Sequence, residues 1–536
     1  MFDRREPSTY SLPASLPQWP QGEGSFNAGI INLGELEVKM VKQLAVFNYY
    51  YYYFKKYKTK SIMFYGPQSI PDGFFLLGHS AQPSSHRHLG RSCVLVARNS
   101  NNNLDHQPPP LMHPVGFDLI FKDTLFVIWR PRPPPGYRAL GFIVTTLIRR
   151  VLMKPKLSVV MCVREDLTQS CQLGDDLCES YSKIKVFNTK PFRTGMFSKG
   201  VPVGTFVSAL SDSDFPHVGY CLRNLNPNLE AMPNLEQVEA LMQHYGPILY
   251  FHPDEVYFPS SVPWFFKKGA KLFKKGKSSN GIPIHPHGTN LPQGGTNDGS
   301  YWLDLPPEDV DDIKHGNLES AQLYIHVKPA FAGTFTDIDM WFFCPYKGPV
   351  AVTLTNKLKT KIKVGKHIGN WEHFTLRISN FNGELYSVYF SGHSGGKWVD
   401  ASHLKFFKGN KPIVYSAKGS HATFPNAGTC IKGLPKLGIG LKMQADVSNQ
   451  FIDASNTYHI VAAEYLGGVV EEPDWLQYMR VWGPTVSFDW RPELKKSITY
   501  LPFLTGLMVK KLVHLFPYKE RRTGPKERLS WFGDEQ

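Results

Sequence analysis

Apolar residues along this chain come in short runs of four to seven, closed by proline, glycine or arginine, and no helical period is sustained over the first 225 residues. Runs of that length, rich in valine, isoleucine and aromatics, predict short strands joined by tight turns. Three sets of them repeat. Pro71-Asp72-Gly73-Phe74-Phe75-Leu76-Leu77-Gly78 returns as Pro134-Pro135-Gly136-Tyr137-Arg138-Ala139-Leu140-Gly141, and more loosely as Val201-Pro202-Val203-Gly204-Thr205-Phe206. The marker glycines Gly78, Gly141 and Gly204 are evenly spaced. Each copy follows an apolar strand ending in proline (at Pro67, Pro131 and Pro191). Each precedes another strand ending in arginine (Arg98, Arg164 and Arg223). One such unit cannot bury its own apolar face, whereas three packed about an axis can. The pattern therefore predicts a threefold β-prism over residues 1–230, and three unrelated hairpins are the alternative.

The pattern changes at Asn234. Leu235, Val238, Leu241 and Met242 recur at helical spacing, Asn234 and Gln237 form a capping box, and Gly246-Pro247 ends the helix. Beyond it the short strands resume. Tyr324 to Lys328 and Phe374 to Ile378 alternate as half-buried strands do, predicting a β-sandwich over residues 231–536 with a few short helices. Leu494 to Phe516 is apolar but interrupted by Pro502 and Gly506, and is expected to form a helical cover. The fold class is thus mainly β, a prism followed by a sandwich.

Composition narrows the function classes. The chain has 536 residues and a net charge of +15. The excess is spread over both halves, which disfavours a nucleic-acid stripe and suits an anionic membrane surface or an acidic partner. No run reaches the apolar length of a membrane-spanning helix; the nearest, Ala139 to Met153, is broken by Arg149 and Arg150. Met1-Phe2-Asp3-Arg4-Arg5 lacks the apolar core of a signal peptide, and the seven cysteines include no CxxC. Cys93, Cys162 and Cys221 read as buried thiols. The expected location is cytoplasmic, peripherally associated with endomembranes.

Four segments of the second half concentrate polar chemistry. They are Phe251 to Glu255, His367 to His373, Ser391 to Gly396, and Gly419-Ser420-His421-Ala422. Asn370 and Glu372 share a strand face by the period of two. An imidazole with hard oxygens suits a divalent ion or a polar headgroup. This gives a candidate metal set of His367, Asn370, Glu372 and His421, with His393, Asp254 and Trp371 as ligand-binding candidates. Strand-end hydrogen bonding by the same residues is the alternative. No phosphate-binding glycine loop, Gly-x-Ser-x-Gly elbow or kinase motif is present.

Three resemblances bear on these residues. The repeated unit is similar to the multivesicular-body-associated β-prism, which implies binding to acidic membranes. Pro17-Gln18-Trp19-Pro20-Gln21, Ile31-Asn32-Leu33-Gly34, Gly294 to Gly299, Trp371 to Ile378 and the tail around Thr523 to Lys526 resemble the plant family of vacuolar protein sorting-associated protein 62. More distantly, His367-Ile368-Gly369-Asn370-Trp371-Glu372 resembles the signature of the necrosis- and ethylene-inducing cytolysins. That likeness implies a β-sandwich, a divalent cation (calcium, magnesium or manganese) and sugar headgroups. Asn370 stands where those toxins carry aspartate, and Lys347 stands near where they carry another. Both changes weaken a cation site. Together these features lead to a non-enzymatic binder of acidic lipid or glycolipid headgroups linked to vacuolar sorting. The rivals are a hydrolase using Glu372 with His367 or His421, and a protein-sorting adaptor.

Overall fold

A computed structural model describes residues 10–48, 62–83, 94–100, 108–123, 126–147, 153–177, 184–209, 218–276, 280–306, 310–353, 363–392, 395–434, 439–484, 486–487, 519–520 and 523–533. His393, Cys93 and the segment from Leu494 to Phe516 lie outside them. The fold is mainly β with few, short helices. No helix among the described residues is long and apolar enough to cross a membrane. Cys162 and Cys221 are buried free thiols, as expected.

The first half is built three times over. In the first copy, Leu36–Val41 pairs with Val94–Asn99, which pairs with Phe75–Leu76; Gln43–Asn48 pairs with Ile62–Pro67, which pairs with Ser80–Pro83. The second copy repeats this with Leu111–Met112, Cys162–Arg164 and Tyr137–Arg138, and with Gly116–Lys122, Phe126–Arg132 and Ile143–Thr146. In the third, the two leading strands fuse into Thr168–Asp176. It carries Gly219–Arg223 and Gly200–Val201 at one end, Lys185–Pro191 and Phe206–Ala209 at the other.

A ring of three backbone hydrogen bonds closes the copies on one another. His79 N donates to Phe142 O (2.9 Å), Phe142 N to Phe206 O (3.0 Å), and Phe206 N to His79 O (3.0 Å). Beside the ring, Phe64 lies 5.4 Å from Phe126 and 5.0 Å from Phe206, one aromatic from each copy. The residues that precede the ring positions are Gly78, Gly141 and Thr205. Thr205, not Gly204, therefore occupies the third marker position. The crowding explains why one side chain is admitted and no more. A Cβ on Gly78 would meet Gly141 Cα at 2.7 Å, and one on Gly141 would meet Thr205 Cβ at 2.4 Å. Thr205 satisfies its hydroxyl by donating to Leu140 O at 2.5 Å.

His79 is buried at this ring, its Nδ1 accepting from Val144 N at 3.1 Å. Burial pulls its pKa down to about 4. In the unfolded chain the imidazole takes up a proton near pH 6.5, whereas the folded state resists until about pH 4. Stability from this residue is therefore complete above pH 6.5 and falls by about 3 kcal/mol as the pH drops through that window. His79→Asn keeps an acceptor for Val144 and removes the titration. Urea unfolding at pH 7 and pH 4 should show a smaller acid loss in the variant; equal losses would remove His79 as the cause.

In the second half, a six-stranded sheet runs in the order Lys397–Asp400, Leu385–Phe390, His367–Ser379, Phe335–Lys347, Leu323–Ala330 and Tyr458–Ala462. Its two central strands are 13 residues each. On one face Phe342, Phe374, Leu376 and Ile378 pack with the helix Leu235–Tyr245 and the strands Ile248–Tyr250 and Lys411–Ser416 of a second sheet. That helix starts on the expected capping box, Asn234 and Gln237 exchanging two 2.9 Å bonds.

The other face is covered as well, so Tyr324 to Lys328 and Phe374 to Ile378 are buried throughout and not half-buried as their alternation predicts. Trp341, Phe343 and Trp371 pack there with Phe265, Trp475 and Trp482. Lys328, Asp337, Asp339 and Arg377 are buried on the same sheet in ion pairs, Lys328 with Asp339 at 3.1 Å and Arg377 with Asp337 at 2.7 Å.

The two ends of the described chain cross between the halves. Leu12, Trp19 and Phe26, assigned by sequence to the first module, sit in the core of the second. Trp19 donates to Asn382 O at 3.2 Å and meets His244 edge-on at 5.6 Å, while Asn410 brackets Ala14 with two 2.9 Å bonds. Conversely the C-terminal turn reaches the first half, where Met196 N donates to Phe532 O at 2.9 Å and Phe197 stacks on Phe532.

Candidate functional site

The polar segments singled out in the sequence meet at one end of the long sheet. Asn370 and Glu372 point from the start of His367–Ser379, on the face that Phe374 and Leu376 continue into the core. The turn after Lys411–Ser416 is drawn tight by Gly419 (φ +68°) and by a bond from His421 N to Ala417 O. This places His421, itself at φ +60°, against Asn370.

Hydrogen bonds define what each group can do. His421 Nε2 lies 2.7 Å from Tyr257 O, an acceptor, so this nitrogen carries the proton. Its Nδ1 faces the Asn370 amide nitrogen at 3.4 Å, and the same amide nitrogen faces Glu372 Oε1 at 3.4 Å. Glu372 Oε2 takes a bond from Ser391 Oγ at 3.4 Å, and Ser391 is held by Thr423 at 3.1 Å.

A second carboxylate, Glu255, is buried beside them. Its Oε1 accepts from Val256 N and Tyr257 N at 3.0 Å and its Oε2 from Gly419 N at 2.6 Å; His421 Nε2 is 3.8 Å away. Three backbone donors satisfy this charge without a cation. Cys344 is buried opposite Asn370 in the sheet register. Burial first, then the charges of Glu255 and Glu372, raise its thiol well above the ordinary value, so it stays protonated.

This arrangement does not fit a divalent cation. Both His421 nitrogens and all of the Glu255 oxygens are directed at protein partners. Among the described residues no group of three histidine, cysteine or carboxylate side chains is placed to hold a metal ion. His367 is buried with Nδ1 at 3.1 Å from Ile368 O. Glu372 and His421 are bridged by an amide, and His421 has no exposed surface.

Two ligand-binding candidates stay outside this hydrogen-bonded cluster. Trp371 turns to the opposite face, 5.1 Å from Phe343, 5.5 Å from Trp475 and 5.2 Å from Trp482, as a core residue. Asp254 is exposed and pairs with Lys418 at 3.1 Å. Sequence reasoning missed Glu255, although it adjoins Asp254 in a segment already marked. It also missed Arg528, which donates to Trp371 O at 2.8 Å from a turn with no local signal.

The profile of the family described as vacuolar protein sorting-associated protein 62 matches residues 6–535. A protein of that name from Saccharomyces cerevisiae is 22% identical over 280 residues, covering 44% of this chain. The chain spans 58% of that relative's length. Among solved structures, GNIP1Aa from Chromobacterium piscinae is 14% identical, covering 39% of this chain and 40% of its own, at a TM-score of 0.28. Necrosis and Ethylene inducing Protein 2, from the causal agent of cocoa's Witches Broom disease, is 15% identical, covering 35% and 67%, at a TM-score of 0.19. Likeness at this level is no basis for transferring a site or an activity.

Proposed function

This chain belongs to the vacuolar protein sorting-associated protein 62 family, and from that premise we propose that it is a non-enzymatic, peripheral binder of acidic lipid headgroups on endomembranes. In this reading residues 1–230 form a threefold β-prism, supported by the ring of three backbone bonds. Residues 231–536 form a β-sandwich, supported by the two sheets that enclose one apolar core.

One observation carries the proposal. The loop between Ile143–Thr146 and Cys162–Arg164 presents Met153, Leu157 and Val159 at 52%, 47% and 38% exposure. Lys154 and Lys156 stand exposed between them. Apolar side chains held in water cost about 25 cal/mol per Å² relative to burial. At a bilayer surface they enter the headgroup boundary while the lysine stems extend to lipid phosphates. The overall charge of +15 adds long-range attraction to an anionic leaflet.

Flotation with phosphatidylserine-containing and neutral phosphatidylcholine vesicles tests this. Binding should require the anionic lipid, and Lys154→Gln with Lys156→Gln should weaken it about tenfold or more, at ~1 kcal/mol for each lysine. Equal recovery on both vesicles, or on neither, would remove the proposal. Capture of proteins through this loop with no vesicle binding would favour a sorting adaptor instead.

A further inference from the structure

We propose that a second contact with the same anionic bilayer is made by the lysine-rich segment from Trp264 to Gly276 in the other half of the chain. The inference rests on the membrane reading above and extends it to a surface that neither the repeats nor the polar cluster contains.

From Trp264 to Lys277 the sequence places six lysines and no acidic residue. The helix Val262–Lys267 starts at Ser261, whose hydroxyl accepts from Trp264 N at 3.2 Å, and buries Val262, Phe265 and Phe266 in the core. That anchoring leaves Trp264 half-buried at the surface and Lys267 and Lys268 exposed at the helix end. Lys268 Nζ lies 5.7 Å from the Trp264 ring centroid.

The strand Lys271–Lys274 continues the surface. Leu272 points into the core, and Phe273 stacks on Trp302 of the neighbouring strand at 5.7 Å. Lys274 lies over Tyr301 at 5.0 Å, and Lys275 is exposed beside it. The lysine ion pairs formed among the described residues lie elsewhere, at Lys314, Lys328, Lys411, Lys418 and Lys526. Asp304 is opposite Lys271 in the sheet register but forms no such pair. Among the described residues the segment's lysines thus form no ion pair, and they stand on a core-anchored base.

Charge complementarity selects an anionic partner, and the residue types select a bilayer over a nucleic acid. Every basic residue from Trp264 to Lys277 is lysine, a flexible point charge suited to mobile phosphates; arginine, which reads bases and phosphates by its fixed fork, is absent. Tryptophan beside lysine is the combination favoured at headgroup depth. Two contacts on one rigid protein also raise each other's effective concentration.

Vesicle partition of the full chain, measured by flotation at low and high salt, tests this. Lys267→Gln, Lys268→Gln and Lys275→Gln together should lower partition onto phosphatidylserine–phosphatidylcholine vesicles about a hundredfold and flatten the salt dependence. The three matching Lys→Arg changes keep the charge and should retain binding, which separates charge loss from damage to the fold. If the unchanged protein ignores anionic vesicles, the membrane reading itself fails. If it binds, and the triple glutamine variant binds equally well while the Lys154, Lys156 variant does not, the second contact is overturned and the first stands. Loss of binding to a single-stranded RNA with vesicle binding intact would also overturn it.

Discussion

Replacing Lys328 by methionine will lower the stability of the second half by about 3–5 kcal/mol, the usual effect of stripping one partner from a buried ion pair. Lys328 has no exposed surface, and its ammonium donates to Asp339 Oδ2 (3.1 Å), Ser530 O (2.5 Å) and Trp531 O (3.1 Å). Asp339 also accepts from Trp341 Nε1 and Thr375 Oγ1, both at 2.9 Å. Burial alone would push its carboxyl pKa up, but Lys328, then His373 and His326, hold it below the ordinary value. Methionine fills a similar volume but leaves the buried Asp339 charge without its cation and takes one donor from each of Ser530 O and Trp531 O. Adding Asp339→Asn removes the stranded charge and should recover a large part of the loss. Urea midpoints of the single and double variants measure both steps. A loss below about 1 kcal/mol would mean that the interior is wetter than its burial implies.

The second large effect lies at the ring of the first half, where Gly141→Ala should cost about 3 kcal/mol through overpacking. The new methyl would stand 2.4 Å from Thr205 Cβ and 2.8 Å from both Thr205 Cγ2 and Oγ1. Space is the obstacle there, since Gly141 is not in the left-handed region. Thr205→Gly alone removes one hydrogen bond to Leu140 O and should cost about 1 kcal/mol. Combined with Gly141→Ala it returns the ring to one side chain and two bare positions. The double variant should therefore be markedly more stable than the sum of the two losses, and simple additivity in thermal unfolding would refute this account.

What the sequence discloses and what it conceals follow from range. The repeat was legible because local turn chemistry recurs with it, in the glycines and the strand-ending prolines and arginines. The third marker slipped by one because a threonine took a place reserved elsewhere for glycine, and only the crowded axis reveals that one Cβ is admitted. Asn370 and Glu372 were legible as neighbours through the period of two. Glu255 was not, because its role comes from the N–H of Gly419, a partner far along the chain. The buried charges Lys328 and Arg377 read as the wet face of half-buried strands, since alternation cannot tell a solvated charge from one paired beneath aromatics. Trp371 was misplaced for the same reason in reverse, its opposite face being covered by Trp475 and Trp482.

Trp19 and its neighbours also set an order on the chain's birth. Synthesis delivers Leu12, Trp19 and Phe26 first, but His244 and Asn382, which Trp19 packs against and donates to, emerge far later. At translation speeds of about 5–20 residues per second, the segment waits on the order of ten seconds or more for its helix, and longer for Asn382. All three copies of the repeat are synthesised in that interval, while the partners of Trp19 have yet to emerge. The nascent chain must therefore keep three large apolar side chains from aggregating until the other half arrives.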